Sequence, residues 1–402
     1  MEIETIKNNS GVKWEMVKLG DLIDVLSGYA FDSKCFNESI GIPLIRIRDI
    51  KRSYSDTFYN GEFDDRFIIT HGDILIGMDG EFNVAEWKGD RALLNQRVCK
   101  VSVSDNSKLL LRYLLYFLPF QLKLIEDKAS FVTVKHLSVN DIKNIQIPLP
   151  PLPVQKRIAE ILDAADALRR KDQELLKKYD ELAQAIFIDM FGDPVKNEKG
   201  WEVKKLIDVA KSRDDIKCGP FGTQLNRGEY QTEGIPIWGI PQINSNFIKT
   251  PTEYVTQKKA MELKEYSVEE EDIIMSRKGN VGACSLFPKH LKSGVLHSDA
   301  IRIRVNKNMI LPKVLLWQFK KSRVLQTQVA NVSSGAIMAG INVTNLKQIS
   351  VYVPCMNAQN KFASELQKVE NLKEKLLITI SNSDSLFQTL LQKAFKGELV
   401  AE

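Results

Sequence analysis

The feature that most constrains the fold is an internal repeat. Residues 137–145 (LSVNDIKNI) align with residues 341–349 (INVTNLKQI), an offset of 204 residues (from 137 to 341). The same offset relates further pairs in the same order, namely Pro150 and Pro354, Gln155 and Gln359, and Phe191 and Phe395. Chance can supply one such match but not a series. The chain is therefore two copies of one plan, each a globular segment, a proline-marked exit and a helix.

Length and composition indicate a multidomain globular protein. A chain of 402 residues predicts two or more domains, and 44% hydrophobic with 27% charged residues is ordinary for such proteins. No stretch approaches the roughly 18 apolar residues needed to span a bilayer, and the polar start does not resemble a signal peptide. Five cysteines lie far apart without a CxxC pair. We therefore expect a cytoplasmic protein with no membrane segment, disulfide framework or zinc site.

The net charge of +5 hides an asymmetry between the two halves. Residues 1–150 hold 19 Lys/Arg and 21 Asp/Glu, a net charge of −2. Residues 201–354 hold 22 and 14, a net charge of +8. The basic second half suggests a polyanionic partner, because each neutralised phosphate releases counterions. The first half does not share this signal.

The patterns inside each globular half predict mainly strands. Apolar and polar residues alternate over 44–48, 97–103 and 300–305, with β-branched residues and flanking turn residues. Helical periodicity appears over 109–117 and 313–320. We therefore predict that each half is an α+β domain with a curved or twisted sheet.

A long helix follows the first half. The prolines at 148, 150, 151 and 153 predict an extended lead-in, and a helix is predicted over 154–190. At about 1.5 Å per residue it would be roughly 55 Å long. Gly192 and Pro194 are expected to end it. Its coiled-coil seam, with spacings of three and four, is Ile158, Ile161, Ala165, Leu168, Asp172, Leu175, Tyr179, Leu182 and Ile186.

The second copy carries an equivalent but less regular seam. Its apolar positions are Phe362, Val369, Leu372, Leu376, Leu386 and Leu390, and it is interrupted by Glu365, Thr379 and Ser383. A small rotation of the helix would bring in Leu366, Ile380 and Leu391 instead. Because a lone amphipathic helix needs a partner, we predict that the two helices form an antiparallel pair. The alternative is that each helix packs only on its own domain.

Catalytic motifs are poorly represented. Glu202-Val203-Lys204 and Glu262-Leu263-Lys264 fit part of a nuclease pattern, but the repeat copy of the first lacks the lysine, which indicates chance. No P-loop, glycine-rich cofactor loop or adenine-flipping motif is present, and the four histidines lack metal-ligand spacing. We therefore expect a chain without a catalytic centre or metal site.

The order of motifs resembles the specificity subunits of type I restriction–modification systems over nearly the whole chain. Residues 27–31 (SGYAF) with 41–50 (GIPLIRIRDI) resemble the opening of a target-recognition domain, as do residues 218–225 (CGPFGTQL). Residues 148–158 (PLPPLPVQKRI) resemble the entry into the central helix of that family. Residues 189–194 (DMFGDP) resemble the passage into the second domain.

The resemblance implies a division of the chain and a role. It implies target-recognition domain 1 at 1–150, a central spacer helix at 151–190, target-recognition domain 2 at 191–354 and a C-terminal spacer helix at 355–402. Each recognition domain would read half of a split double-stranded DNA site, with the helices setting the spacer. Two methyltransferase subunits carrying S-adenosylmethionine would join, and restriction (motor–nuclease) subunits would bring ATP and Mg²⁺. The chain itself would bind no cofactor.

Candidate DNA contacts lie beside predicted strands. In the first half four basic residues follow one strand pattern: Arg46, Arg48, Lys51 and Arg52. They suit phosphates or guanine edges, although exposed charges paired with Asp49 or Asp56 are the alternative. Glycine-containing loops at 79–83 and 277–280 and the segment 95–97 suit base readout, unless they are ordinary turns. The candidates there are Asn83, Gln96, Arg97, Arg277, Lys278 and Asn280.

Other functions compete with this hypothesis. The same fold could serve a fused methyltransferase–nuclease, which neighbouring genes would reveal. An interaction scaffold that binds protein, or an enzyme of unrecognised chemistry, would differ in class. Salt-sensitive, sequence-dependent binding to duplex DNA would separate the DNA reader from the scaffold.

Overall fold

A computed structural model describes residues 14–128, 135–192, 197–334 and 340–400, and it divides into two compact units. The first unit comprises residues 1–173 and 378–402, and the second comprises residues 174–377. Both divisions fall inside long helices, so each unit contains a segment of both. Pro194, which was expected to help end the central helix, lies outside the described residues.

The first unit is built on two larger sheets and one two-stranded sheet. Its strands are β1 (Met16–Lys18), β2 (Ile23–Ser27), β3 (Phe36–Asn37), β4 (Ile42–Ile45), β5 (Phe58–Tyr59), β6 (Ile68–Ile69), β7 (Ile74–Gly77), β8 (Val84–Glu86), β9 (Ala92–Leu94), β10 (Val98–Val103) and β11 (Gln146–Pro148). Its short helices are α1 (Leu111–Lys128) and α2 (Val139–Lys143), followed by the start of α3 (Leu152–Phe191). An antiparallel sheet has the order β2-β10-β7-β8, and a mixed sheet has the order β3-β5-β4-β9-β6. Strand β1 pairs with β11.

The second unit repeats this plan. Its strands are β12 (Glu202–Lys205), β13 (Ile216–Cys218), β14 (Ile235–Trp238), β15 (Tyr254–Val255), β16 (Ser267–Val268), β17 (Ile273–Ser276), β18 (Cys284–Leu286), β19 (Gly294–Leu296), β20 (Ala300–Ile303), β21 (Ser333–Ser334), β22 (Gly340–Ile341) and β23 (Ser350–Val353). Its helices are α4 (Ile240–Asn244), α5 (Gln257–Glu262), α6 (Pro312–Lys321), α7 (Arg323–Asn331), α8 (Val343–Leu346) and α9 (Met356–Lys396), the last of which continues into the first unit. The sheet order β13-β20-β17-β18 matches β2-β10-β7-β8. The α+β class with an internal repeat is confirmed.

One predicted strand is shorter than the alternation suggested. Strand β4 ends at Ile45, and Ile47–Asp49 forms a 3₁₀ turn, so Arg46 and Arg48 do not share a strand face. The turn forms because the Asp49 carboxylate accepts a hydrogen bond from the Arg46 N–H at 3.0 Å. Ile47 still packs on the core, which is why the apolar alternation continues through the turn.

The two long helices pair in antiparallel fashion within each unit, as predicted. In the first unit the Ser383 hydroxyl donates to the Asp172 carboxylate at 2.7 Å, so the two polar interruptions of the seams face each other. In the second unit Phe362 packs against Phe187 and Phe191, with ring centroids 5.5 and 5.1 Å away. Both helices also contribute to the core of each unit, so they pack on the domains as well as on each other. The alternative that each helix packs only on its own domain is therefore wrong.

The predicted seam of α3 was wrong at three positions. Leu168, Leu175 and Leu182 are exposed. Buried positions of α3 instead include Leu162, Ala183 and Phe187. The buried face is rotated because it packs on the globular core as well as on α9. For example, Phe187 also stacks on Trp317 at 6.0 Å.

The rotation considered for the second helix is present in part, because Phe362, Val369 and Leu376 of the original seam stay buried and Ile380 is half-buried. Leu366 and Leu391 are buried, whereas Leu372 and Leu386 are exposed. Gly192 ends α3 as predicted: its φ is 79°, and its N–H donates to Ile188 at 2.7 Å. Among the described residues, no helix combines the length and apolar character that crossing a bilayer requires.

Candidate nucleic-acid interface

Four chain segments of the first unit meet at one edge, which we call the first tip (residues 28–29, 78–83, 95–97 and 135–137). Backbone hydrogen bonds join them. The Met78 N–H donates to Arg97 O at 2.8 Å, and the Gln96 N–H donates to Tyr29 O at 2.8 Å. The Leu137 N–H donates to Met78 O at 2.7 Å. Three candidates chosen from sequence, Asn83, Gln96 and Arg97, therefore lie on one framework.

The second unit has an equivalent second tip (residues 219–221, 277–283, 297–299 and 340–342). The Arg277 N–H donates to Asp299 O at 2.8 Å, and the Ile341 N–H donates to Arg277 O at 3.1 Å. These bonds match those of Met78 in the first tip. Lys278 and Asn280 lie on the same loop as Arg277, so the three candidates of this unit are also brought together.

A glycine is required at the same place in both tips. A Cβ atom on Gly28 would lie 2.0 Å from Asn95 O, and one on Gly219 would lie 2.3 Å from His297 O. Both distances are far below van der Waals contact, so only glycine lets the segment after β2 or β13 approach the opposite turn. This contact explains a glycine in each of the two opening motifs, SGYAF and CGPFG.

The side chains of the first tip form a charged cluster. The Arg97 Nη1 atom lies 3.1 Å from the Asp79 carboxylate, and that carboxylate lies 2.6 Å from His136 Nδ1. The backbone of Arg97 has a φ of 72°, which lies in the left-handed region that residues other than glycine rarely adopt. Gln96 is exposed beside it. The cluster therefore presents a cation and an amide to solvent.

Asn83 and Lys51 line one groove of about 290 Å³ in the first unit. Lys123, Glu81 and Glu126 also contribute to its wall. Asn83 is partly buried and its carbonyl accepts from the Gly77 N–H at 2.8 Å. Among the basic candidates of segment 46–52, Lys51 thus lines the same groove as the loop between β7 and β8.

The arginines near Lys51 are held by internal contacts. The Arg52 Nη2 atom lies 2.5 Å from the fully buried Asp49 carboxylate, and this hydrogen bond raises the pKa of Arg52. The exposed Arg48 lies 3.6 Å from the same carboxylate. The Arg46 guanidinium lies 5.4 Å from the centroid of the Phe36 ring. For Arg48 and Arg52 the structure favours the alternative of charges paired with Asp49.

The second tip carries its own cation and amide. The Lys278 Nζ atom lies 2.9 Å from the Asp299 carboxylate. The Asn280 side-chain amide donates to Asn244 Oδ1 at 3.4 Å. The Arg277 guanidinium lies 5.1 Å from the centroid of the Phe221 ring, and its Nε donates to Ile341 O at 3.3 Å. Arg277 is therefore fixed in direction and partly buried.

Two arginines of the second half are internal rather than available to a partner. Arg302 is buried and its Nη1 donates to Ser267 O at 2.6 Å, and burial lowers the pKa of Arg302. Arg304 Nε donates to the buried Asp272 carboxylate at 2.7 Å. Burial raises the pKa of Asp272 despite this pairing. Arg302 also lies 3.4 Å from the Asp215 carboxylate, so each of these internal arginines is balanced by an internal aspartate. The net charge of +8 therefore lies among the other charged residues of this half.

Sequence reasoning missed the partners of the two exposed cations. Asp79 was noted only as part of a loop, and Asp299, His136 and His297 were not considered as site residues. The repeat could have identified these partners. The loops at 79–83 and 277–280 follow the equivalent strands β7 and β17, and Arg97 and Asp299 directly precede the equivalent strands β10 and β20. Among the described residues, no three metal-ligating side chains are grouped as a metal ion would require.

Comparison with known proteins places the chain in a family. A family model described as the type I restriction modification DNA specificity domain matches residues 11–178 and 198–382. Since these two matches cover well over half of the chain, the chain belongs to that family.

Curated relatives and solved structures agree with this assignment. The specificity subunit of the type I restriction enzyme EcoBI of Escherichia coli is 28% identical, over 97% of this chain and 87% of its own length. A putative MjaX specificity subunit of Methanocaldococcus jannaschii is 23% identical, over 90% and 88%. A type I restriction–modification S subunit from M. genitalium matches with a TM-score of 0.55 at 17% identity, over 97% and 98%. A chain from a structure on complex assembly of the type I R-M system matches with a TM-score of 0.58 at 18% identity, over 96% and 98%. The likeness to the two solved structures shows the fold.

Proposed function

We propose that this chain is the DNA-reading subunit of a type I restriction–modification complex and recognises a bipartite site with a fixed spacer. The observation that carries the proposal is the pair of equivalent tips, each presenting an exposed cation beside an amide on a hydrogen-bonded framework. Such groups bind phosphates and base edges. In this proposal residues 1–150 and 191–354 are the two recognition domains, and the candidates of the two tips, together with Arg46 and Lys51, supply contacts.

The helices at 151–190 and 355–402 would act as the spacer. Helix α3 has 40 residues, which correspond to about 60 Å at 1.5 Å per residue. Two domains that bind the same face of B-DNA need targets about one turn, or 34–36 Å, apart. A stiff helix pair of this length is sufficient for such a separation.

The helices would also bind the methyltransferase subunits. Leu168, Leu175 and Leu182 are exposed on α3 at intervals of seven residues, and Leu372 and Leu386 are exposed on α9. Exposed leucines in a row are typical of a surface that a partner covers. In this proposal two methyltransferase subunits bring S-adenosylmethionine, the restriction subunits bring ATP and Mg²⁺, and this chain contributes no catalytic group or cofactor.

The first test is methylation mapping. The chain is co-expressed with the methyltransferase gene that neighbours it, and the host genome is mapped at single-base resolution. We expect one new motif of two short blocks around a fixed unread spacer. Absence of new methylation, although the complex assembles, would contradict the proposal and favour a protein-binding scaffold. Genes for a fused methyltransferase–nuclease beside this one would change the complex but not the reading role.

A second test concerns the spacer. One heptad is inserted after Gln173 in α3 and a matching heptad after Leu377 in α9, so that the helices keep their pairing. Seven residues add about 10 Å, and we expect the spacer to lengthen by about three base pairs, at about 3.4 Å each. The control is a variant with the heptad in α3 alone, which should assemble poorly. A well-assembled double insertion that writes the original spacer would refute the ruler.

A further inference from the structure

The two tips carry opposite charges at equivalent backbone positions. Asp79 and Lys278 are each the second residue after β7 and β17, whereas Arg97 and Asp299 each directly precede β10 and β20. The same backbone hydrogen bond joins the two positions in each tip. The residue before Asp79 donates its N–H to the carbonyl of Arg97, and the residue before Lys278 donates to that of Asp299, both at 2.8 Å.

An ion pair joins the two positions in each tip, and its polarity is reversed between the tips. The Arg97 and Asp79 side chains approach to 3.1 Å, and those of Lys278 and Asp299 to 2.9 Å. In both pairs the cation is the more exposed member, at 57% against 25% in the first tip and 43% against 27% in the second. In the first tip the acidic residue, Asp79, lies on the loop after β7, whereas in the second tip the acidic residue, Asp299, lies on the turn before β20.

We propose that each ion pair reads one G·C base pair in the major groove, and that the reversed polarity makes the two units read it in opposite orientations. This inference rests on the proposed function. A cation donates to guanine O6 and N7, and a carboxylate accepts from cytosine N4. O6 and N4 are joined by a Watson–Crick hydrogen bond of about 2.9 Å. A cation and a carboxylate about 3 Å apart therefore match the two groups of one base pair, in the order that their polarity sets.

A purely structural role explains these pairs less well. Exposed ion pairs contribute little to stability. Arg97 also holds a left-handed backbone conformation that a glycine would adopt more readily. Each aspartate also has a histidine neighbour. His136 Nδ1 lies 2.6 Å from the Asp79 carboxylate, whereas His297 Nδ1 accepts from the Asp299 N–H at 3.1 Å and lies 4.0 Å from its carboxylate. The same three chemical groups are thus gathered at both tips, although the histidines come from different segments.

The main experiment exchanges the polarity of the first tip. The double variant Asp79→Lys with Arg97→Asp is assembled with the methyltransferase, and its motif is determined on a randomised DNA library. We expect one position of one block to change from G·C to C·G, while the block read by the second unit stays unchanged as an internal control. If the double variant still methylates DNA and its motif is identical to that of the unmodified chain at every position, the inference is overturned.

Isosteric variants decide the matter if the double variant is inactive. Asp79→Asn and Asp299→Asn each remove one carboxylate charge, and Glu38→Gln removes an exposed charge of the first unit that belongs to none of the four tip segments. We expect each Asn variant to lose about tenfold or more in discrimination at one G·C position of its own block. Glu38→Gln should discriminate as the unmodified chain does. Unchanged discrimination in both Asn variants, with a split motif still written, overturns the inference and leaves the proposed function standing. If the unmodified complex writes no split motif, the proposed function itself fails.

Discussion

Replacing Gln155 by leucine is expected to loosen the junction between the first recognition domain and helix α3. Gln155 is fully buried at the start of the helix. Its Oε1 accepts from the Leu110 N–H at 2.9 Å, and its Nε2 donates to the carbonyls of Lys108 and Pro150, both at 2.8 Å. One side chain thus satisfies three backbone groups from two chain segments. Leucine fills a similar volume but satisfies none of them.

The expected cost follows from those three bonds. The bond to Pro150 is in the interior, and a buried carbonyl left without a partner costs about 1–3 kcal/mol. The bonds to Leu110 and Lys108 are partly accessible to water, so each contributes about 0.5–1.5 kcal/mol. The free energy that holds this junction closed should therefore be about 2–6 kcal/mol smaller in the variant. Even the lower value corresponds to more than a tenfold change in an opening equilibrium.

Hydrogen exchange measures this effect where it occurs. In Gln155→Leu the Leu110 amide should exchange at least tenfold faster, and the urea midpoint should fall without a change in slope. Gln359→Leu is the matched control, because Gln359 makes the same three bonds to Leu311, Met309 and Pro354 in the second unit. Gln359→Leu should accelerate hydrogen exchange of the Leu311 amide and leave that of the Leu110 amide unchanged. Unchanged protection of Leu110 in Gln155→Leu would refute the reasoning.

Three further predictions follow from single contacts. Ser383→Ala leaves the buried Asp172 carboxylate without its hydroxyl donor, so urea unfolding should show a loss of about 1–3 kcal/mol, and an unchanged midpoint would argue against the bond. Gly28→Ala places a Cβ 2.0 Å from the Asn95 carbonyl oxygen, so methylation mapping should show weakened reading of one block only; a motif read as before would show that the turn can move. Arg277→Ala should lower DNA affinity in a titration without unfolding the chain. Unchanged affinity with normal melting would remove Arg277 from the interface.

The sequence predicted the parts of the fold that depend on local pattern. The helix predicted over 154–190 is observed as Leu152–Phe191, because a heptad-like apolar pattern and flanking prolines and glycine act within a few turns. The repeat predicted equivalent sheets, and the strand orders match. These features need no knowledge of which distant residues meet.

The features that the sequence did not predict depend on distant contacts. Asp79 meets Arg97 because a backbone hydrogen bond joins two segments that are separate in sequence. Arg46 and Arg48 left the predicted strand because Asp49 caps a turn there. The buried face of α3 was displaced because Phe187 packs on both α9 and Trp317, whereas a heptad rule assumes one partner helix. In each case tertiary contacts overrode a correct local pattern.

The two units differ most where the framework constrains them least. Gln155 and Gln359 are the same residue because each satisfies the same three backbone groups, and Gly28 and Gly219 are the same because a Cβ fits in neither place. Within the part of the chain that the structure describes, the partly exposed side chains of Asp79 and its counterpart Lys278 pair only with other residues of their own tips, Asp79 with Arg97 and His136 and Lys278 with Asp299. One framework can therefore carry two different tips. On the proposed function, this separation between a fixed framework and free tips is what lets one duplicated plan read two unlike halves of a DNA site.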